Sequence, residues 1–123
     1  MKNITADMFI GFNKKQHKHR IPIKAHENID MLIKHLLLNE NKDLKILSEL
    51  LFYFIQRHPF IDGNKRTAAF TLDYYLNQKE YYLNDSTKLN LILKYVTDEE
   101  ATPSSIYKDL KKIILRYNPK LKL

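Results

Sequence analysis

The segment from Leu44 to Ile55 constrains the fold more than any other part of the chain. Its apolar residues repeat at helical spacing, and further apolar residues occupy the other faces of the same helix. A helix that is apolar on every side is predicted to be central and buried. It is expected to end by Arg57 or His58, because Pro59 disfavours helical geometry in the residue before it. The repeating residues are Leu44, Leu47, Leu50, Leu51, Phe54 and Ile55, with Ile46, Phe52 and Tyr53 on the other faces.

Helical spacing extends over most of the remaining sequence, with one short extended piece expected at Tyr81 to Leu83. At 123 residues the chain has the length of one domain, and we expect a single, compact, all-α domain over residues 1–123. The other predicted helices run from a cap at Thr5 to near Asn13, from about Asn28 to Leu38, from Asn64 to about Gln78, from a cap at Asp85 or Ser86 through Tyr95, and from Thr102 and Pro103 to before Pro119.

Two kinds of residue are too scarce for several classes of site. The sequence has no Cys, which excludes disulfide frameworks, thiolate nucleophiles and Cys-ligated zinc. Its two glycines, Gly11 and Gly63, are too few for a P-loop or a dinucleotide-binding fingerprint, so any nucleotide chemistry must use another kind of loop. No stretch approaches the roughly 20 apolar residues of a membrane span, and we expect a soluble protein of the cytoplasm that contacts no membrane.

The polar segment His58–Arg66, HPFIDGNKR, follows the central helix. Lys65 and Arg66 fall in the first turn of the next helix, where two cations oppose the helix dipole at a cost of roughly 0.3 to 1 kcal/mol each. Free backbone N–H groups and basic side chains predict an anion site there, suited to phosphate. Asp62 is a natural Mg²⁺ ligand beside phosphate, and His58 can accept a proton near neutral pH. Each residue alone fits a cap, a turn or a surface charge, but together they indicate phosphoryl or nucleotidyl transfer.

HPFIDGNKR resembles the signature of the Fic/Doc family, H-P-F-x-(D/E)-G-N-(G/K)-R-x-x-R, and matches it apart from the last arginine. The chain is most similar to the short death-on-curing (Doc) toxins, with ITADMFIGF near the start, NKRTA after the motif and a Pro-Ser-Ser-Ile helix near the C-terminus. We expect this resemblance to cover essentially the whole chain. It implies a helical Fic/Doc fold with a short β-hairpin flap and a bacterial, Mg²⁺- and ATP-dependent enzyme that modifies proteins.

The resemblance also implies a role for each residue of the motif. His58 would be the general base that deprotonates a target hydroxyl, and Asp62 would hold Mg²⁺ on the nucleotide phosphates. The remaining implied roles are a buried anchor for Phe60, an anion hole at Gly63, Asn64 and the amides that follow, and phosphate contacts from Lys65 and Arg66.

A basic segment before the motif is the candidate for the target-binding flap. Residues 14–24 carry five Lys or Arg, with no acid between Asp7 and Glu27. An extended edge offers free backbone hydrogen bonds to a target strand. The flap is predicted at Arg20, Ile21, Pro22, Ile23 and Lys24.

Two positions favour the Doc branch of the family. Lys65 occupies the variable G/K position, and Ala69 occupies the position of the missing second arginine. By the resemblance, this pattern implies transfer of the γ-phosphate of ATP to elongation factor Tu, in a toxin of a toxin–antitoxin pair. Pro59 and Gly63 are closer to the branch that transfers AMP, so AMPylation stays an alternative. A non-catalytic binding module is a third hypothesis.

Regulation is expected to come from a separate chain. The family's inhibitory motif, (S/T)-x-x-x-E-(G/N), would need Ser or Thr where the sequence has Ile23 before Glu27 and Leu36 before Glu40. We therefore expect an antitoxin in trans. The net charge of +7 is concentrated in residues 14–24 and 108–122, which indicates a surface for an acidic protein partner, and a nucleic-acid site is not expected.

Overall fold

The computed structural model describes residues 5–16, 23–38, 43–60 and 62–122. This part of the chain contains α-helices and no strand, which confirms the predicted all-α class for it. None of the helices found there is both long enough and apolar enough to cross a membrane. The helices are α1 (Ala6–Gln16), α2 (Ile23–Leu38), α3 (Asp43–Gln56), α4 (Asn64–Lys79), α5 (Asp85–Thr97) and α6 (Pro103–Tyr117).

Helix α3 is the centre of the packing, as its apolar pattern predicts. It packs most extensively against α6 and α4, and also contacts α2 and α5. Its start is tied to the end of α4, because the Lys79 Nζ lies 2.6 Å from a carboxylate oxygen of the buried Asp43. Since the next segment leaves directly from the end of α3, the loop after it starts from the most extensively buried helix of the core. The fully buried apolar residues of α3 are Leu47, Leu50, Leu51 and Phe54.

The proposed β-hairpin flap is not supported. Ile23 and Lys24 form the first turn of α2, which begins five residues before the predicted start at Asn28. The helix extends this far because Ala25 continues the buried face of Ile29, and alanine contributes little to an apolar pattern. Arg20, Ile21 and Pro22 lie outside the described residues. Helix α1 also runs past its predicted end at Asn13, to Gln16.

The predicted extended piece at residues 81–83 forms no strand. Its backbone instead pairs with the side-chain amide of Asn118, which accepts from the Tyr82 N–H at 2.8 Å and donates to the Tyr82 carbonyl at 2.9 Å. The cap of α5 is Asn84, whose side chain accepts from the Thr87 N–H at 2.7 Å, rather than the predicted Asp85 or Ser86. The cap of α6 at Thr102 is confirmed, since its side chain accepts from the Ser105 N–H.

A buried tyrosine joins α5 to α6. The Tyr95 hydroxyl donates to an oxygen of Asp109 at 2.8 Å, and the Lys94 ammonium donates to the same oxygen at 3.1 Å. Burial first, and then the hydrogen bond and charge of Asp109, raise the pKa of Tyr95 well above its usual value. The hydroxyl proton of Tyr95 is therefore bound more tightly in the folded chain than in the unfolded chain.

Tyr95→Phe tests this linkage. We expect it to lower the free energy of unfolding by about 1 kcal/mol near neutral pH, because the hydrogen bond is lost while Asp109 keeps Lys94 as a partner. The contribution of a group with a raised folded pKa is lost as the pH rises beyond the unfolded value, about 10 for tyrosine. Urea unfolding should thus show the difference between the two proteins shrinking above about pH 10. A difference that grows with pH would contradict the assignment.

Candidate active site

The loop between α3 and α4 begins with a histidine in an unusual backbone conformation. The last helical hydrogen bond of α3 runs from the Arg57 N–H to the Tyr53 carbonyl, at 3.1 Å. His58 follows with a φ of 47°, in the left-handed region, and its side chain is exposed. This conformation costs a non-glycine residue about 1 to 2 kcal/mol. The imidazole is thus presented to solvent from the end of the most buried helix, at some cost in backbone strain.

Phe60 ties the loop to the core two residues later. Its side chain is 3% exposed, and its ring is stacked on that of Phe54 in α3, with centroids 5.9 Å apart and planes inclined by 14°. Removing a buried Phe side chain typically costs about 3 to 5 kcal/mol, so this contact is strong enough to fix a loop. The exposed His58 and the buried Phe60 therefore belong to one short, well-anchored segment.

Asn64, the first residue of α4, closes the loop. Its side-chain oxygen accepts from the Phe60 N–H at 3.0 Å, and its side-chain nitrogen donates to the Phe60 carbonyl at 2.9 Å. Both ends of the amide are used on one residue, which places the start of α4 against the backbone two residues after His58. The Asn64 side chain therefore fixes the start of α4 relative to the segment that follows His58.

Helix α4 begins without a side-chain cap. Gly63 occupies the N-cap position with a φ of 76°, which favours glycine, and no side chain there bonds to the first-turn N–H groups. The first turn contains Lys65 and Arg66 and no acid, and both side chains are exposed. Uncapped N–H groups and two cations at the positive end of a helix dipole are the features that binding of an anion such as phosphate requires.

Asp62 lies directly before this helix end. Its side chain is exposed, and one carboxylate oxygen accepts from the Gly63 N–H at 2.7 Å. Within the described residues, no cluster of three or more His, Cys, Asp or Glu could hold a metal ion by itself. The donor set fits Mg²⁺ that arrives with a nucleotide, since Mg²⁺ is usually bound by one or two carboxylates together with phosphate oxygens.

Two pockets open on the two ends of this loop. The first, of about 600 Å³, is lined by the neighbours of His58 on both sides and by residues of α2 and α3. The second, of about 710 Å³, contains Lys65 and Arg66 together with apolar residues of α1, α4 and α5. The first lining is Lys24, Ala25, Asn28, Met31, Leu32, Tyr53, Arg57 and Pro59. The second is Phe12, Lys65, Arg66, Ala69, Phe70, Leu72, Asp73, Asp85, Lys88, Leu89, Ile92 and Leu93.

The structure brings the predicted motif residues into one loop and the first turn of α4. Lys24, predicted to belong to the flap, lies in α2 at the pocket beside His58. Two further residues that the sequence did not single out contact the loop: Asn13 on α1 and Thr67 on α4 are both fully buried. The available signal for Asn13 was its position four residues after Phe9, where a polar side chain interrupts an apolar face.

Comparison with protein families identifies residues 2–76 as matching the family described as Fic/DOC. This match covers more than half of the chain and includes the whole loop and most of α4. No curated protein and no solved structure shows significant similarity to the chain. The expected resemblance of residues 77–123 to Doc toxins lies beyond the match and stays a prediction.

Substituting His58 separates backbone strain from side-chain function. His58→Gly is expected to raise the free energy of unfolding by about 1 kcal/mol, because glycine adopts a φ of 47° without steric cost. His58→Ala keeps the strain, and its stability should stay within about 0.5 kcal/mol of that of the wild type. Urea unfolding measures both values. Equal stabilities of the Gly and Ala variants would show that the left-handed conformation is not strained.

Proposed function

We propose that the chain, which belongs to the Fic/DOC family of protein-modifying transferases, transfers the γ-phosphate of ATP to a hydroxyl group of a protein. The observation that favours transfer of phosphate over transfer of AMP is the pair Lys65 and Ala69. Both line the pocket at the start of α4, one helical turn apart, and both are exposed. A lysine at the first position and no arginine at the second is the pattern of the Doc branch.

The chemistry assigned to the loop is in-line displacement. An imidazole nitrogen of His58 accepts the proton of the target hydroxyl as the oxygen forms a bond to the γ-phosphorus. The bond from that phosphorus to the bridging oxygen breaks, and ADP leaves. A general base of this kind typically contributes 10²- to 10⁴-fold to a rate, so positioning of the phosphates has to supply much of the remainder.

Positioning is assigned to the start of α4. The free N–H groups of the first turn and the side chains of Lys65 and Arg66 would hold the phosphate oxygens. Asp62 would hold Mg²⁺, which when bound neutralises charge on the transferred phosphate. Phe60 and Asn64 contribute indirectly, because their contacts fix the loop that carries these groups.

The pocket beside His58 is our candidate for the target site. Arg57 and Pro59 flank the histidine in sequence and line this pocket, so a side chain entering it would bring its hydroxyl near the imidazole. Lys24 and Arg57 also make it basic, which suits an acidic target segment. This assignment replaces the hairpin flap as the proposed recognition element.

The target and the regulator are inferred from the resemblance to Doc toxins. On that basis we propose elongation factor Tu as the target and a separate antitoxin chain as the inhibitor. Charge supports an acidic partner, since Lys14, Lys15 and Lys24 are exposed near the ends of α1 and α2. A second exposed basic group lies at Lys108, Lys112 and Arg116 of α6.

ATP labelled in either the α- or the γ-phosphate distinguishes the two transferase types. We expect the purified protein to move label to elongation factor Tu only from the γ position, because the reaction as proposed releases ADP. Transfer from the α position would assign the chain to the AMP-transferring branch instead. The measurement is label retained on the target after gel separation.

His58→Ala tests whether the protein is an enzyme of this kind at all. The label transferred per unit time should fall by roughly 10²- to 10⁴-fold. His26→Ala is the matched control, since His26 pairs with Asp7 and Asp30 and lies outside the loop. If growth inhibition by the expressed protein persists unchanged in His58→Ala, the chain acts as a binding module and the enzymatic proposal fails.

A further inference from the structure

Asn13 reaches from α1 into the loop across 49 residues of sequence. Its side chain is 0% exposed, and its Nδ2 lies 2.8 Å from the Asp62 carbonyl oxygen and 3.2 Å from the Thr67 Oγ1. The Asp62 carbonyl can only accept, so the NH₂ end of the amide must face it. That nitrogen carries two hydrogens, and both are used in these contacts.

The contact continues through Thr67 to a second loop carbonyl. The Thr67 hydroxyl donates to the Gly63 carbonyl at 2.9 Å, and the Thr67 backbone N–H donates to the same oxygen at 2.9 Å. One residue of α1 is therefore connected to two consecutive carbonyls, those of Asp62 and Gly63. These two carbonyls belong to the peptide planes that enter α4.

The direction of these carbonyls decides the direction of the neighbouring N–H groups. In a planar trans peptide the C=O and N–H point in opposite directions, and the described chain has no cis peptide bond. Holding the Asp62 carbonyl toward the buried Asn13 turns the Gly63 N–H away from the core, and the first helical hydrogen bond of α4, from the Thr67 N–H to the Gly63 carbonyl, does the same for the Asn64 N–H. The Gly63 N–H in fact donates to a negatively charged oxygen, that of the exposed Asp62 carboxylate.

We propose that Asn13 is a positioning residue, which holds the peptide between Asp62 and Gly63 so that the start of α4 faces an anion. The identity of that anion as a nucleotide phosphate rests on the proposed function, whereas the orientation of the peptides does not. Asn13 acts through the Asp62 carbonyl, to which it donates, and contacts no reacting atom.

A purely structural role is a poorer account of this side chain. The Asn13 Oδ1 is buried and has no hydrogen-bond partner among the described residues. A buried polar atom without a partner destabilises a fold, so leucine would serve packing better at this position. The hydrogen bonds that its NH₂ group donates to the Asp62 carbonyl and the Thr67 hydroxyl explain why an amide occupies this position.

The test uses Asn13→Leu and the amide signal of Gly63. Because the sequence contains only Gly11 and Gly63, protein labelled with ¹⁵N-glycine gives two backbone amide signals. We expect the Gly63 proton signal to move upfield in Asn13→Leu, as its hydrogen bond to the Asp62 carboxylate is lost. The Gly11 signal reports whether α1 stays intact. An unchanged Gly63 signal in the folded variant overturns the proposal.

Thr67 supplies a second pair of variants, should Asn13→Leu not fold. Thr67→Val removes the hydroxyl that accepts from Asn13 and so helps to keep its amide against the Asp62 carbonyl, whose peptide carries the Gly63 N–H, whereas Thr67→Ser keeps that hydroxyl. The Gly63 amide signal should move in the valine variant and keep its wild-type position in the serine variant. Movement of equal size in both would overturn the proposed connection.

Kinetics then separate this proposal from the proposed function. We expect Asn13→Leu to raise the KM for ATP by roughly 10-fold, because N–H groups that no longer face the phosphates hold the nucleotide less tightly. Ile10→Val, a packing change on the same helix, should leave KM unchanged. A KM that stays at its wild-type value while the Gly63 signal moves overturns the effect on nucleotide binding. If the wild-type protein itself transfers no label, the proposed function fails, and the NMR result still decides the orientation of the peptides.

Discussion

The two hydrogen bonds between the Asn64 amide and the Phe60 backbone are the constraint on which the loop depends. They join the first residue of α4 to the segment leaving α3 and so tie the two helices to the residues between them. The helix that starts at this point has no side-chain cap, because its N-cap residue is Gly63. The loop is therefore closed by Asn64 while the first-turn N–H groups of α4 stay uncapped.

The parts of the fold that depend on apolar pattern were predictable, and those that depend on small or polar residues were not. Helix α3 could be placed because its leucines and Phe54 allow no other environment. The start of α2 was missed because Ala25 is buried but weakly apolar. Asn118 could not be anticipated as the partner of residue 82. Its side-chain amide bonds to the backbone as a neighbouring strand would, but a single side chain leaves no periodic pattern in the sequence.

The candidate site shows the same division. Its candidate residues could be proposed from a nine-residue motif, because they are adjacent in sequence. The supporting residues are distant in sequence, and Asn13 becomes visible only when α1 is packed against α4. The basic segment before α2 was interpreted as extended from Pro22, although residues 23 and 24 belong to a helix. The charge of this segment carries no information about its backbone conformation.

Three features of the loop are unfavourable taken alone: a histidine in the left-handed region, a helix start with no side-chain cap, and two cations in the first turn. Each costs of the order of 1 kcal/mol. Such departures persist where packing over-determines the backbone, and they cluster at functional sites. Here the backbone is held by the packing of Phe60, by the hydrogen bonds between Asn64 and Phe60, and by the buried Asn13. A loop that only connected two helices would be more stable with glycine at position 58 and without two cations in the first turn of α4. The arrangement is understandable if the exposed imidazole and the uncapped, basic helix end act together on an anionic substrate.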